Sequence, residues 1–225
     1  MNTKMRDFIA ISDLISLMNM SSGFISILLS INHNFHLAAI LMIFSLLFDS
    51  IDGWVARKTN RNDKYGFGKN IDSLSDIISF GVAPAIFLYI NTTMSNPELT
   101  ILSGIVSLFL IICGVLRLAR YNVISDETEG FVGFPIPGIA IIMATLYLSG
   151  LYNTYLSLII TVIVSIAMIC NKTYDKFNNK YLLTLNGICL VLVIFQIPIN
   201  IYDINIPSLT IFLTSVIYLT VNLFN

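Results

Sequence analysis

The stretch from Phe48 to Asp76, FDSIDGWVARKTNRNDKYGFGKNIDSLSD, decides how this chain is read. It joins two apolar segments of membrane length. Asp49 and Asp52 close the first segment, and Asp72 and Asp76 open the second. An ionised carboxylate beside hydrocarbon is unfavourable, so such residues are rare and mark a pathway or a reaction site. Helical spacing converts the stretch into geometry. Asp49, Asp52, Gly53 and Ala56 stand at i, i+3, i+4 and i+7 on one stripe, with Arg57 at its edge. Gly68, Asp72, Ser75, Asp76 and Ser79 make a matching stripe. The connection is short, so the two helices are expected to be antiparallel neighbours whose four carboxylates converge.

The rest of the chain supports a membrane setting. Of its 225 residues, 56% are hydrophobic and 11% charged, with a mean hydropathy of +0.83, well outside the soluble range. A helix needs roughly 20 mainly apolar residues to cross a bilayer core. About eight stretches qualify, near 9–31, 36–56, 70–90, 98–119, 134–151, 154–170, 181–198 and 207–224. Backbone groups in lipid must bond internally, so these runs are read as helices. The expectation is an all-α polytopic bundle of about eight transmembrane helices, one integral membrane domain over residues 1–225.

Charge placement predicts the orientation. Lys4, Arg6, Arg57, Lys58, Arg61, Lys64, Lys69, Arg117, Arg120, Lys172, Lys176 and Lys180 all fall in the N-terminal tail or in or beside the second, fourth or sixth connection. The first, third, fifth and seventh connections (INHNFH, NTTMSNPE, SGLYNT and PINIYDINIPS) carry no Lys or Arg. The positive-inside rule then places both termini, and the acids with them, on the cytoplasmic side of a cell membrane. The net charge of −1 averages the two faces and decides nothing. No cleavable signal peptide is evident, because the first apolar run is long and lacks a clear small-residue cleavage site. Cys113, Cys170 and Cys189 have no metal-type spacing and read as small core residues. His33 and His36 alone are a weak metal signal. No internal repeat of the transporter kind is apparent.

Four convergent carboxylates would repel one another unless protonated or neutralised. Hard divalent cations, Mg²⁺ or Mn²⁺, suit such oxygen ligands and often share their site with substrate phosphates. Two such ions form a clamp for an in-line phosphoryl displacement. Gly53, Ala56 and Gly68 leave the helix surfaces bare where a phosphate or nucleotide would approach. Small-residue helix packing accounts for the glycines but not for four acids in register. A divalent-cation transporter is the reading from another class. Transport calls for a site near midplane reachable from both sides, whereas these acids gather at one set of helix ends.

Asp49-x2-Asp52-Gly53-x2-Ala56-Arg57 followed by Gly68-x3-Asp72-x3-Asp76 resembles the signature of the CDP-alcohol phosphatidyltransferase family, which moves a phosphatidyl group from a CDP-linked lipid to an alcohol and releases CMP. The family usually has eight residues between the Arg and the next Gly, whereas ten separate Arg57 from Gly68. Gly66 has the usual offset but would put Asn70 in an Asp position, so the difference is read as a two-residue loop insertion. The resemblance implies that Asp49, Asp52, Asp72 and Asp76 hold two divalent cations and that Asp76 is the general base. It implies that Asp52, Gly53, Ala56, Arg57, Gly68 and Asp72 surround the CDP moiety.

Further segments narrow the acceptor. GVLRLARYNV places Arg117 and Arg120 at i and i+3. Arginines in such a place suit bidentate capture of a carboxylate or phosphate, though they also fit plain positive-inside flanking. SFGVAPA after Asp76, the LRLARYN segment, the GFPIP segment and the DLISLMNMSSG of the first helix are together similar to the phosphatidylserine synthase branch of that family. That branch implies L-serine as acceptor, with Arg117 and Arg120 as its ligands, and an archaeal-lipid donor fits as well as an acyl one. Glycerol 3-phosphate or an inositol phosphate remains the alternative acceptor, since arginines serve a phosphate equally. The resemblance also implies a homodimer in contact with membrane lipids, and no nucleic-acid partner is expected.

Overall fold

A computed structural model describes residues 4, 5, 8–59, 63, 65–124, 131–174, 180–197 and 199–224. Arg6, Arg61, Lys64 and Lys176, and the acids at 126, 127 and 129, lie outside the described residues. Eight long helical segments follow one another: α1 (Ile11–Ile31), α2 (Phe35–Lys58), α3 (Phe67–Ser95), α4 (Thr100–Ile124), α5 (Pro137–Leu148), α6 (Thr154–Ile169), α7 (Lys180–Ile194) and α8 (Ile206–Phe224). Two short antiparallel ribbons complete the described structure. β1 (Phe131–Val132) pairs with β2 (Thr173–Tyr174), and β3 (Asn200–Ile201) pairs with β4 (Ile204–Asn205).

The first helix is inverted relative to one in a soluble protein. Its buried face is Ser12, Asp13, Ser16, Asn19, Ser22, Gly23, Ser26 and Ser30, while Ile11, Leu14, Met18, Ile25 and Leu28 are exposed. In lipid no hydrophobic force drives helices together, so small and polar residues make the contacts. Ser26 Oγ donates to the Ala38 carbonyl of α2 at 2.8 Å. A Cβ on Gly23 would lie 2.5 Å from Ser79 Cα, which brings α1 and α3 into backbone contact. The α1–α2 turn uses His33 at φ 63, and the Asn34 side chain accepts from Leu37 N at 3.3 Å to cap α2.

The third helix begins at Phe67, three residues before its expected start, so that Gly68 belongs to it. From Ile77 to Val82 it widens into a π-helix, and α-geometry resumes at Ala83. Pro84 follows at once and has no N–H for the preceding turn, a recognised cause of such local re-phasing. The wide turn lies directly after Asp76, where π segments commonly mark functional positions.

Five segments are long and apolar enough to cross a membrane: Ile11–Ile31, Phe35–Lys58, Phe67–Ser95, Pro97–Ile124 and Ile206–Leu223. The other three expected spans form helices of 12, 16 and 15 residues. The cause is visible at α5. Its span includes Pro135 and Pro137, so the helix starts only at Pro137, and Phe134 lies in non-helical backbone before it. That segment is buried rather than lipid-facing. Phe134 and Ile136 are 1% and 0% exposed, and Phe134 N donates to the Ala167 carbonyl at 3.0 Å. Irregular backbone is tolerated at depth when protein surrounds it. The apolar core is built around α5, whose Ile139, Ala140, Ile142, Met143 and Ala144 are all buried with Met42 and Ile43 of α2 and Phe80, Phe87 and Leu88 of α3.

Candidate active site

The carboxylates meet where α2 ends and α3 begins. One oxygen from each of Asp49, Asp52 and Asp72 lies within 4.8 Å of the other two. Asp52 is buried, and Asp49 and Asp72 are half-buried. Asp76, also buried, lies one turn deeper on α3, close enough for the charges of Asp49, Asp72 and Asp52 to act on it. Asp72, one helical turn after Gly68, is the acid that α3 delivers to the triad. Among the described residues Asp63 helps shape that connection: its carboxylate accepts from Lys69 N at 3.1 Å and its carbonyl from Gly66 N at 3.0 Å. Gly66 itself has φ 68, the left-handed region that glycine enters without strain.

The other expected site residues are distributed around this centre. Gly53 and Ala56 are half-buried on the stripe of Asp49 and Asp52, Arg57 is exposed at its edge, and Gly68 is buried in the first turn of α3. A Cβ on Gly53 would come within 3.3 Å of the Arg57 guanidinium. Small residues here keep the helix surface low beside the acids.

The two arginines part company. Arg117 is 5% exposed, its charge acts on Asp76 and Asp49, and its guanidinium stands 5.2 Å from the centre of the Tyr121 ring. Arg120 faces the connections instead. Its Nη2 donates to the carbonyls of Val132 and Met168, both at 2.9 Å, and its Nη1 to the Ile169 carbonyl at 3.2 Å and Asn171 Oδ1 at 3.3 Å. It thus binds the carbonyl end of α6 to the segment leading into α5. The guanidinium has five N–H donors in a fixed fork, which suits this clamp.

Helix α1 supplies residues that the sequence reading did not single out. Ser16 Oγ donates to Asp52 Oδ2 at 2.6 Å, and Asn19 Nδ2 donates to Asp76 Oδ1 at 3.0 Å. Asp13, fully buried one turn earlier, accepts from Ala10 N at 2.9 Å. These residues recur at i, i+3 and i+6, a polar stripe in an apolar helix, and that pattern is a signal present in the sequence. On the other side, Lys69 Nζ donates to the Asn122 carbonyl at 2.8 Å, and Ser73 and Asn122 exchange hydrogen bonds, which holds α3 against the end of α4.

Three carboxylates this close have the hard, anionic oxygen chemistry that a divalent cation requires, and they can hold one. The fold and the site together define a polytopic helical membrane protein with a carboxylate centre at paired helix ends that can hold a divalent cation. The chain belongs to the CDP-alcohol phosphatidyltransferase family, whose model matches residues 9–170. It is 46% identical over 173 residues to the archaetidylserine synthase of Methanothermobacter thermautotrophicus, covering 77% of this chain and 72% of that protein. It is 38% identical over 194 residues to the CDP-diacylglycerol–serine O-phosphatidyltransferase of Methanocaldococcus jannaschii, covering 86% and 87%. The enzyme of the same name from Bacillus subtilis is 32% identical over 164 residues, covering 73% and 89%.

Proposed function

We propose that this protein transfers a phosphatidyl or archaetidyl group from a CDP-lipid to L-serine, releasing CMP. The observation that carries the chemistry is the meeting of Asp49, Asp52 and Asp72 within 4.8 Å, with Asp76 and Arg117 beside them. The choice of serine is supported by the relatives, which are named as serine or archaetidylserine transferases.

In this reading Asp49, Asp52, Asp72 and Asp76 hold two divalent cations, Mg²⁺ or Mn²⁺. Such ions, when bound, neutralise the diphosphate and stabilise the attacking and leaving oxygens of an in-line displacement. The serine hydroxyl oxygen forms a bond to the lipid-side phosphorus, the bond from that phosphorus to the bridging oxygen breaks, and CMP leaves with the electron pair. Asp76 accepts the hydroxyl proton. Gly53, Ala56, Arg57 and Gly68 line the path of the CDP moiety together with Asp52 and Asp72. Arg117, buried next to the acids, takes the serine carboxylate through a charge-assisted pair. Arg120, engaged with four backbone and side-chain acceptors, contributes to acceptor binding through the shape of the segment it clamps.

In the sequence the basic residues fall in the N-terminal tail or in or beside the second, fourth and sixth connections, and the carboxylates flank the second, which supports a cytoplasmic active site and cytoplasmic termini. A single working domain over residues 1–225 belongs to the same reading. Homodimerisation belongs to the same proposal. The test is CMP release by detergent-purified protein given a CDP-lipid and Mn²⁺ or Mg²⁺, with L-serine, glycerol 3-phosphate, inositol phosphate or no acceptor. Serine-dependent release abolished by EDTA is the expected result. Release with a different acceptor only would retain the chemistry and remove serine, and no release with any acceptor from folded protein would overturn the reaction.

A further inference from the structure

We propose that Asn19 is a positioning residue for this reaction: it holds one oxygen of Asp76 so that the other is presented to the acceptor hydroxyl. The inference rests on the reaction proposed above and assigns a role to a residue outside the acidic signature.

Asn19 lies in the middle of α1 and is fully buried. Its side-chain Nδ2 donates to Asp76 Oδ1 at 3.0 Å. Its main-chain carbonyl accepts two further hydrogen bonds, from Ser79 Oγ of α3 at 2.9 Å and from Ser45 Oγ of α2 at 3.3 Å. Ser45 is one helical turn before Asp49, and Ser79 is three residues after Asp76. The peptide of Asn19 is therefore tied to both helices that carry the carboxylates. One turn on, the absence of a side chain at Gly23 lets the α3 backbone approach at Ser79. The side chain reaches Asp76 from a base that cannot drift.

The other end of the amide sharpens the point. Asn19 Oδ1 is buried and has no hydrogen-bond partner among the described residues. Here the amide is oriented by what it gives to Asp76. A carboxylate with Oδ1 held by a neutral donor is restrained in rotation, and in this proposal the other oxygen takes the acceptor proton. The amide does not titrate, so it neither competes for the acceptor proton nor cancels the charge of Asp76 as a lysine or arginine would.

The test uses the full chain in detergent with a CDP-lipid, Mn²⁺ and L-serine, measuring kcat, KM for each substrate, the Mn²⁺ half-saturation and thermal unfolding. Asn19→Ala is expected to lower kcat about 100-fold, at the lower end of what a general base contributes. Both KM values should stay within about threefold of wild type, well inside the tenfold that corresponds to 1.4 kcal/mol. Asn19→Gln, which retains the donor on a longer arm, should recover part of kcat. Asn19→Leu keeps most of the volume and removes the donor, and it should lose turnover even where Asn19→Ala fails to fold. Unchanged kcat in Asn19→Ala, or a shift confined to unfolding temperature and both KM values, would overturn the proposal. Loss of fold in both Asn19→Ala and Asn19→Leu would overturn it too, by assigning the residue to architecture. Wild-type protein separates the two failures: no CMP release from it defeats the reaction itself, whereas active wild type with unaffected variants defeats only the role of Asn19.

Discussion

Ser16 Oγ donates to Asp52 Oδ2 across 2.6 Å, linking a helix that bears no member of the carboxylate triad to one that does. A hydroxyl–carboxylate bond of this kind is charge-assisted and contributes about 1.5–3 kcal/mol. It also fixes which lone pairs of Asp52 remain for a cation. Ser16→Ala should therefore weaken metal use more than it weakens the fold. The expected result is a rise of about 10-fold in the Mn²⁺ half-saturation, the lower range for loss of a residue that orients a ligand. An unchanged Mn²⁺ dependence of CMP release would show that Asp52 does not need this partner.

The triad itself predicts a sharper effect. Asp49→Asn and Asp72→Asn preserve shape and remove one of three converging charges. Each should abolish metal-dependent binding of the CDP-lipid and with it CMP release, while the helical fold and unfolding temperature are retained. EDTA should do the same to wild type, with activity restored by Mn²⁺ or Mg²⁺. Measurable turnover in either variant at ordinary metal concentrations would remove that residue from the metal site.

The separation of the two arginines yields opposed outcomes. Arg117→Lys retains a charge but not the planar fork, and it should raise the KM for L-serine by about 10-fold, since losing one hydrogen bond to a charged carboxylate exceeds 1.4 kcal/mol. The KM for the CDP-lipid should move little. Arg120→Ala withdraws hydrogen bonds from Val132, Met168, Ile169 and Asn171 together. Its expected signature is a lower unfolding temperature with a loss of serine affinity that follows from the loosened segment. A large serine KM effect in Arg120→Ala at wild-type thermal stability would instead put Arg120 in contact with the acceptor.

Much of this was legible in the sequence because lipid makes a helix count simple. Apolar runs, alternate connections without Lys or Arg and acids in helical register are all local patterns. What escaped is non-local. The polar stripe of α1 is visible as Asp13, Ser16 and Asn19, but nothing in the spacing says that Ser16 meets Asp52 or that Asn19 meets Asp76. The shortening of α5 follows from Pro135 and Pro137, yet only its burial explains why lipid does not forbid the non-helical backbone before it. Arg117 and Arg120 are one turn apart and look equivalent. Their roles diverge because one side chain lies over Tyr121 toward the acids and the other reaches the carbonyl end of α6. The π-helical turn after Asp76 also has no clear mark in the sequence beyond the nearby Pro84.

Gly133 tests the clamp from its other side. It has φ +81, and a Cβ there would stand 2.1 Å from the Met168 carbonyl oxygen and 2.4 Å from Arg120 Nη2. Neither strain nor collision can be relieved without breaking the contacts of Arg120. Gly133→Ala should cost about 1–3 kcal/mol from the backbone conformation alone, plus the displaced hydrogen bonds. Gly187, in the middle of α7, is the internal control. A Cβ there meets nothing within 4 Å, so Gly187→Ala should be neutral or stabilising by up to about 1 kcal/mol through helix propensity. Thermal unfolding of the two variants side by side decides the matter, and equal behaviour would show that the 131–136 segment is less constrained than its contacts imply.

Asp76 separates binding from chemistry. It is buried 6% exposed, lies one turn beyond Asp72, and receives the Asn19 amide on one oxygen. Asp49, Asp52 and Asp72 remain as a set of three metal-capable carboxylates without it. Asp76→Asn keeps the size of the side chain and can still accept a hydrogen bond through its carbonyl, but it cannot take a proton from the serine hydroxyl. Turnover should fall by about 10²–10⁴-fold, the usual contribution of a positioned base. Binding of CDP-lipid in the presence of Mn²⁺, read by isothermal titration, should be largely intact. If binding falls in step with turnover, Asp76 is chiefly a metal ligand and the proton must leave by another route. If turnover persists near the wild-type rate, the general-base assignment is wrong.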